Sequence, residues 1–402
     1  MIKQAYIVNG ARTAIGNFGG TLSTVRTDDL AAFVLKELMS KNPEVDFSRV
    51  GDVILGCANQ AGEDNRNVAR MASLLAGMPI TVPGQTVNRL CASGLSASID
   101  AARAIQVGDE DLMISGGVEN MTRGPLIMSK ASAAFGRDQQ LYDSSFGWRF
   151  INPKMKELFG VDAMGETAEN VADKYQISRA DQDAFALWSQ QKAAKAKASQ
   201  RFEKEIVPLQ IPQKKGEALV FAHDEFAKPN TTAQGLSGLK PSFRKDGTVT
   251  AGNASGLNDG AAALLLAGEE GLKQNNLKPL ARIVSCGIAG VEPRIMGIGP
   301  VEAANKALKR AGLQFKDLDL IELNEAFAAQ SLACTRAWGL SDTDERLNIN
   351  GGAIALGHPL GMSGARILYS AAIDLQLLQK RYALVTMCIG VGQGYAVIIE
   401  RC

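Results

Sequence analysis

Histidine is scarce in this chain: only His223 and His358 occur among its 402 residues. Imidazole is the side chain that most readily exchanges protons near neutral pH, so acid–base chemistry by histidine has almost no choice of residue here. His223 lies in the polar stretch Ala-His-Asp-Glu-Phe-Ala-Lys, which predicts an exposed position. His358 lies among glycines, in Leu-Gly-His-Pro-Leu-Gly-Met-Ser-Gly, and is therefore the candidate base.

Other features are also missing, and each absence excludes a class of protein. The net charge of +1 creates no field that would attract nucleic acid or acidic lipid. No apolar run approaches the roughly 18 residues that cross a bilayer. The first residues lack the apolar core and cleavage site of a signal peptide. We therefore expect a cytoplasmic protein with neither nucleic acid nor membrane as a partner.

Cysteines are few and widely spaced, which predicts free thiols in a reducing compartment. None belongs to a C-x-x-C pair, and with two histidines a metal site is not expected. Most isolated cysteines are small buried hydrophobes, so each candidate needs its own argument. The six cysteines stand at positions 57, 91, 286, 334, 388 and 402.

The apolar pattern alternates between strand-like and helix-like runs, which predicts an α/β fold with buried sheets. Strands are expected at Asp52-Val-Ile-Leu-Gly, Leu112-Met-Ile-Ser-Gly-Gly, Leu318-Asp-Leu-Ile-Glu-Leu and Tyr382-Ala-Leu-Val-Thr-Met. Helices are expected at Ala97-Ser-Ile-Asp-Ala-Ala-Arg-Ala-Ile, at Val301-Glu-Ala-Ala-Asn-Lys-Ala-Leu-Lys-Arg-Ala, and after the N-cap candidate Ser178.

The two ends of the chain resemble each other at a steady offset of about 270 residues, which is too long for a solenoid repeat and indicates a duplicated α/β unit. Tyr6-Ile-Val-Asn-Gly matches Arg282-Ile-Val-Ser-Cys-Gly, and Ser115-Gly-Gly-Val-Glu-Asn matches Cys388-Ile-Gly-Val-Gly-Gln. The polar stretch between the copies predicts an inserted domain that forms a lid. We expect one half at residues 1–122 plus about 250–275, an inserted loop domain at 123–249, and a second half at 276–402.

The duplication places Cys91, in Asn88-Arg-Leu-Cys-Ala-Ser-Gly, opposite His358. Each residue is expected at the start of a helix. Unpaired amide groups and the helix dipole favour an anion there, so a thiolate is expected at Cys91. The alternative is a buried structural cysteine.

Cys388 and Asn324 each follow a predicted strand. The run Cys388-Ile-Gly-Val-Gly-Gln-Gly lacks the spacing of a dinucleotide-binding loop. Its glycines instead allow backbone amides to approach a ligand, as in an oxyanion hole. Asn324, in Asn-Glu-Ala-Phe-Ala, can orient a water or donate to an oxyanion; the alternative is a turn-forming asparagine.

The motifs around Cys91, Asn324, His358 and Cys388 resemble those of the thiolase family. So does Thr248-Val-Thr-Ala-Gly-Asn-Ala-Ser-Gly-Leu-Asn-Asp-Gly, and the resemblance extends along almost the whole chain. The resemblance implies a five-layered α-β-α-β-α core made of two duplicated halves with an inserted lid. It implies a thiolytic acyltransferase that uses coenzyme A as co-substrate, holds no permanent cofactor and assembles as a dimer of dimers. Cys91 would be the nucleophile, His358 its base and Cys388 the second acid–base.

The resemblance also implies two oxyanion holes and a CoA channel. One hole would use His358 with a water held by Asn324, and the other the backbone N–H groups of Cys91 and Gly390. Four residues match positions that line the pantetheine channel, and Lys228 falls near the nucleotide phosphates. The four are Ser255, Ala251, Phe327 and Met164. Ala163 stands where many acetoacetyl-CoA thiolases have histidine, which argues against that specificity.

The stretch Tyr142-Asp-Ser-Ser-Phe-Gly-Trp-Arg-Phe-Ile-Asn is similar to one in the 3-oxoadipyl-CoA thiolases of aromatic-acid degradation. Arg149 in this stretch is a candidate partner for a substrate carboxylate; the alternative is an arginine stacked on Trp148. A fatty-acid β-oxidation thiolase or an acetoacetyl-CoA thiolase would share the catalytic residues. A ketoacyl synthase and a non-catalytic lipid-carrier relative are more distant alternatives.

Overall fold

Strands and helices alternate along the chain in the computed structural model, which describes residues 3–402. The strands are β1 (Tyr6–Arg12), β2 (Gly16–Asn17), β3 (Val53–Gly56), β4 (Gly84–Val87), β5 (Leu112–Asn120), β6 (Leu126–Met128), β7 (Leu141–Asp143), β8 (Leu209–Ile211), β9 (Leu219–Phe221), β10 (Asn258–Ala267), β11 (Ala281–Gly290), β12 (Leu320–Leu323), β13 (Tyr382–Ile389) and β14 (Gln393–Arg401). The α-helices are α1 (Thr27–Lys41), α2 (Val68–Leu75), α3 (Ser93–Val107), α4 (Pro153–Phe159), α5 (Met164–Tyr175), α6 (Arg179–Ala198), α7 (Ala233–Ser237), α8 (Glu269–Gln274), α9 (Gly299–Ala311), α10 (Ala328–Ala337), α11 (Ala353–Leu356) and α12 (Leu360–Leu377).

The strands and helices expected from the apolar pattern are confirmed. The four predicted strands are β3, β5, β12 and β13, and the three predicted helices are α3, α9 and α6. The hydroxyl of Ser178 accepts a hydrogen bond of 3.1 Å from the backbone N–H of Asp181 and so caps α6. No helix within residues 3–402 combines the length and apolarity that a bilayer crossing requires.

The large sheet is built from two halves with the same topology. From its centre, one half runs β1-β10-β5-β3-β4 and the other runs β11-β14-β13-β12. Beside the centre, β1 pairs antiparallel with β10 in the first half, and β11 pairs antiparallel with β14 in the second. Farther out, β3 runs parallel to β4 and β5, and β12 runs parallel to β13. An isolated bridge between Ile321 and Leu347 occupies the position that β4 has in the first half. The predicted duplication is therefore present in the topology.

Five layers stack in the order helix, strand, helix, strand, helix. Helices α3 and α12 form the central layer, since α12 contacts strands of both halves. Alternate strand residues face the central and outer layers: Ile54 packs in the central core, whereas Val53 and Leu55 pack under α1 and α2. Helices α9 and α10 cover the other outer face. The predicted five-layered α/β core is confirmed.

The elements between β5 and β10 lie outside the large sheet and are tied to it by buried ion pairs. Arg12 on β1 donates to Glu205 at 2.7 Å and to Asp224 at 2.7 Å, and these three side chains are almost completely buried. Arg201 donates to Asp374 on α12 at 2.6 Å. Breaking such a pair leaves a buried charge and costs about 3–5 kcal/mol. The division at residues 122, 249 and 275 stays a prediction.

Candidate active site

Cys91 and His358 occupy equivalent places in the two halves: each lies two residues before the first residue of its helix, α3 or α12. The two helices touch near these starts. A Cβ atom added to Gly94 would lie 2.4 Å from the carbonyl oxygen of Gly361, so only glycine allows this approach. The contact brings the helix starts, and the two side chains before them, to one region between the halves.

Asn324 and Cys388 reach the same region from the edge of the second half-sheet. Asn324 directly follows β12, and its backbone N–H donates to the carbonyl of Thr386 on β13 at 3.0 Å. Cys388 was expected just after a strand, but β13 continues to Ile389, since its pairing with β14 extends that far. Cys388 is fully buried and packs in a cluster with Ala168, Val249, Ala254, Met296, Ala326 and Phe327.

The hydrogen bonds of His358 define which ring nitrogen is free to act as a base. The hydroxyl of Ser363 donates to the carbonyl of Pro359 at 2.8 Å, so it accepts from Nδ1–H of His358 at 2.6 Å. Nε2 is then unprotonated and lies 3.3 Å from Nδ2 of Asn324. The backbone N–H of His358 donates to Asn258 at 2.9 Å, which fixes the turn. Sequence reasoning missed Ser363 and Asn258, although Ser363 stands in the His358 motif itself.

Burial, followed by the positive charge of Arg366, lowers the pKa of His358 to about 3. The imidazole is therefore neutral at physiological pH and can accept a proton. Because its resting basicity is low, proton transfer to it is expected to accompany bond formation by the nucleophile rather than to precede it.

Burial raises the pKa of the Cys91 thiol to about 11, although the backbone N–H groups of Gly390 and Cys91 lower it. The expectation of a resting thiolate is therefore wrong. Desolvation outweighs the two amides, and Cys91 precedes the helix rather than lying in its first turn. Burial raises the pKa of the Cys388 thiol well above its usual range, and the neighbouring Cys91 raises it further. Both sulfurs carry protons at rest.

The two amides that face the Cys91 sulfur are held by residues with unusual backbone angles. Leu90 has a φ of 47° and Val391 a φ of 63°. Positive φ is unfavourable for leucine and rarer still for a β-branched residue. Val391 belongs to the tight turn between β13 and β14, and this turn directs the N–H of Gly390 toward Cys91. Convergent N–H groups of this kind can hold an oxyanion.

Glu119, at the end of β5, links the two halves beside the site and was not identified from sequence. Its carboxylate accepts backbone hydrogen bonds from Ala58 and Asn59 at 3.0 Å and from Gly361 at 2.9 Å. Burial raises its pKa to about 7 against these donors. The Gly361 bond fixes the first turn of α12 and hence the place of His358.

Three of the residues predicted to contact CoA lie around this centre. The backbone N–H of Ser255 donates to the carbonyl of Ala326 at 3.0 Å, and Phe327 packs edge-on against Phe243 with centroids 6.4 Å apart. The sulfur of Met164 lies 3.7 Å from the place of a Cβ on Gly390. These contacts place Ser255, Phe327 and Met164 beside the turns that carry Asn324 and Gly390.

The remaining predicted binding residues are farther out on the surface. Ala251 and Lys228 are exposed, and the Lys228 ammonium lies 5.2 Å from the ring centroid of Phe226. His223 is exposed, as expected. Arg149 donates to the Ser144 carbonyl at 3.2 Å and to the backbone and side-chain oxygens of Asn59 at 3.4 Å. All of these acceptors are neutral.

Alkylation of Cys91 should become faster with rising pH over a wide range. A thiol with a pKa of about 11 is almost fully protonated at neutral pH. Its thiolate fraction then increases about tenfold per pH unit, so labelling by iodoacetamide should rise from about pH 7 to about pH 10 without a plateau. Mass spectrometry of the Cys91 peptide measures the rate, with free glutathione as the reference thiol. A plateau below about pH 9 would contradict the raised pKa.

Comparison with known proteins gives matches over the whole chain. The family model "Thiolase, N-terminal domain" matches residues 5–270, and "Thiolase, C-terminal domain" matches residues 277–401. The chain is 58% identical over 400 residues to the 3-oxoadipyl-CoA/3-oxo-5,6-dehydrosuberyl-CoA thiolase of Escherichia coli, with 100% of both chains covered. It is 57% identical to the beta-ketoadipyl-CoA thiolase of Pseudomonas aeruginosa, again with 100% of both covered.

Solved structures agree with the predicted fold. Human mitochondrial 3-ketoacyl-CoA thiolase in complex with CoA superposes with a TM-score of 0.91 at 41% sequence identity, covering 100% of this chain and 98% of that one. The fold predicted from the sequence motifs is confirmed.

Proposed function

This chain belongs to the thiolase family, and from that premise we propose that it catalyses CoA-dependent thiolysis of 3-oxoadipyl-CoA to succinyl-CoA and acetyl-CoA. The observation that carries the proposal is the convergence of two thiols, one neutral imidazole and one amide at the junction of the two halves. The choice of substrate follows from sequence identity: the chain is 56–58% identical over its full length to several beta-ketoadipyl-CoA thiolases.

The first half-reaction transfers the acyl group to Cys91. Its sulfur attacks the C3 carbonyl of the substrate while Nε2 of His358 takes the thiol proton. The C2–C3 bond then breaks, leaving a succinyl thioester on Cys91 and the enolate of acetyl-CoA. The protonated thiol of Cys388 donates its proton to the enolate carbon, which completes acetyl-CoA.

The second half-reaction returns the enzyme to its starting state. The Cys388 thiolate accepts the proton of the incoming CoA thiol, and the CoA sulfur attacks the thioester. Collapse of the tetrahedral intermediate releases succinyl-CoA and expels the Cys91 sulfur. The imidazolium of His358 returns the proton to it. Each proton taken up in one half-reaction is therefore released in the other.

Two groups of donors stabilise the negative oxygens formed in these steps. The first group consists of the backbone N–H groups of Gly390 and Cys91, which stabilise one negative oxygen. Their orientation toward the Cys91 sulfur supports this role. His358 and a water bound by Asn324 serve the other. The side-chain oxygen of Asn324 is buried and has no hydrogen-bond donor within residues 3–402, so it offers an acceptor for that water.

Coenzyme A acts as co-substrate in this scheme, without any permanently bound cofactor. Its pantetheine lies along Met164, Ala251, Ser255 and Phe327, and its phosphates approach Lys228. The placement of three of these residues around the catalytic turns supports the channel. The role of Arg149 as a carboxylate partner stays a prediction.

A thiolysis assay with three substrates tests the activity. We expect kcat/KM for 3-oxoadipyl-CoA to exceed that for acetoacetyl-CoA and for neutral 3-oxohexanoyl-CoA by about 10-fold or more, because a site built for a carboxylate leaves a charge unpaired with a neutral chain. Equal rates with the neutral chain would favour a β-oxidation thiolase, and a preference for acetoacetyl-CoA would favour the short-chain enzyme.

We further propose a cytoplasmic homotetramer formed from two tight dimers. Six free cysteines suit a reducing compartment. Strand β4 ends the sheet, and the β6–β7 hairpin exposes apolar side chains that an assembly would cover: Leu126, Met128 and Leu141. Light scattering at several concentrations measures the mass, and a monomer would exclude the assembly.

A further inference from the structure

A narrow hollow lies between the inserted elements and the turn after β13. Its walls include Trp148, Met164, Thr167, Arg294 and Val391. Val391 follows Gly390, whose N–H faces the Cys91 sulfur. The Met164 sulfur lies 3.7 Å from the Cβ position of Gly390. Val391 and Met164 therefore connect the hollow to the turn whose amide faces the Cys91 sulfur.

Arg294 is the cation of this hollow, and its side chain is held at one edge. Its Nε donates to Oδ2 of Asp162 at 2.9 Å, and the same oxygen accepts from Asn170 at 2.9 Å. Gly160, with a φ of 73°, packs against the arginine: a Cβ there would lie 3.4 Å from its Cδ and Nε, in ordinary van der Waals contact. The backbone of Asp162 also accepts from the indole of Trp148 at 3.2 Å, which fixes the opposite wall.

The other edge of the Arg294 guanidinium is unoccupied. Its two Nη groups donate no hydrogen bond to any residue from 3 to 402, and its side chain is 56% exposed. Two parallel N–H groups on one planar edge match the two oxygens of a carboxylate. Arg149 differs, because its Nη groups are already bonded to Ser144 and Asn59 and it does not line this hollow.

We propose that Arg294 binds the terminal carboxylate of the acyl chain and so determines the preference for a dicarboxylic substrate. The proposal rests on the proposed thiolase function and makes its substrate recognition specific. Asp162 orients the guanidinium through Nε, and the free Nη edge receives the carboxylate of the succinyl group while its carbonyl carbon is bonded to Cys91. The cavity itself measures only about 10 Å³, so the two methylene groups lie along Trp148, Met164 and Val391 at its open side.

The test compares 3-oxoadipyl-CoA with 3-oxohexanoyl-CoA, which has the same chain length and no carboxylate. Arg294→Ala and Arg294→Gln should lower kcat/KM for 3-oxoadipyl-CoA by about 30–100-fold and change that for 3-oxohexanoyl-CoA by less than about threefold. For Arg294→Lys, kcat/KM with 3-oxoadipyl-CoA should lie between the wild-type value and that of Arg294→Ala. Lysine keeps the charge but lacks the two-pronged geometry of the guanidinium. Lys174→Ala is the matched control. It removes another exposed cation, which forms an ion pair with Glu292, two residues before Arg294.

The outcomes separate this proposal from the one on which it rests. If the wild-type enzyme does not cleave 3-oxoadipyl-CoA, the proposed function is wrong. If it does, and the Arg294 variants lose both substrates equally, the assignment of Arg294 is wrong. A selective loss in Arg149→Ala with none in Arg294→Ala would also overturn it and assign the carboxylate to Arg149.

Discussion

Replacing Cys91 with alanine is expected to lower the kcat of thiolysis by about 10⁴-fold or more, because no other group can form the acyl-enzyme. Three other sulfurs are completely buried and none substitutes: Cys57 and Cys334 take no part in the mechanism, and Cys388 carries the second proton. Cys91 lies before α3 rather than within it, so the loss of its sulfur should barely affect folding. Steady-state thiolysis measures the effect, with thermal unfolding as the check on structure.

The exposed Cys402 provides the control, since Cys402→Ala should keep full activity. Wild-type protein incubated with succinyl-CoA in the absence of free CoA should gain one succinyl group on the Cys91 peptide, and Cys91→Ala should gain none. Retention of more than about 1% of wild-type activity in Cys91→Ala would exclude the covalent mechanism.

Replacing His358 with asparagine is expected to lower both half-reactions by about 10³-fold, because a single base serves Cys91 in each of them. Burial and Arg366 hold the pKa of His358 at about 3, so the neutral ring is the working form at physiological pH. Asparagine retains a polar side chain but accepts no proton. The rate of acyl-enzyme formation from succinyl-CoA, measured by quenched mass spectrometry, follows the second half-reaction in reverse, in which His358 takes the proton of Cys91.

Cys388→Ala separates the role of His358 from that of the second thiol. It should lower overall thiolysis severely, because Cys388 protonates the enolate carbon. It should slow acyl transfer from succinyl-CoA only about tenfold, because a CoA thiolate leaves more readily than a carbanion when no proton is supplied. If His358→Asn behaved in the same way, with acyl transfer intact, His358 would not be the base for Cys91.

The fold was largely predictable because the information is local and periodic. Continuous apolar runs such as Leu112-Met-Ile predict strands buried on both faces, and α3 and α9 follow from helical spacing and end at glycine. The duplication was also visible, since equivalent elements recur at one offset. The end of β13 was misplaced because only cross-strand pairing shows that the ladder continues through Cys388 to Ile389.

The charge state of Cys91 was not predictable in the same way. A helix start suggested a thiolate, but burial by surrounding residues raises the pKa of Cys91 to about 11. Desolvation depends on everything packed around a group, including residues far away in sequence. Glu119 and Ser363 were missed for a similar reason: their roles depend on bonds that appear only on folding, from Gly361 to Glu119 across the two halves and from His358 to Ser363 across a helical turn.

The layered fold, the duplicated halves and the chemical groups follow from local sequence: one usable histidine and two thiols in glycine-rich turns. Which atoms meet, and how their burial shifts their pKa values, depends on how distant segments pack. Packing places Ser363 beside Nδ1 of His358, raises the pKa of both sulfurs by burial, and puts Arg294 rather than Arg149 in the hollow beside Gly390. Side-chain chemistry is written in local sequence, whereas distance, burial and hydrogen-bond direction arise when distant segments pack together.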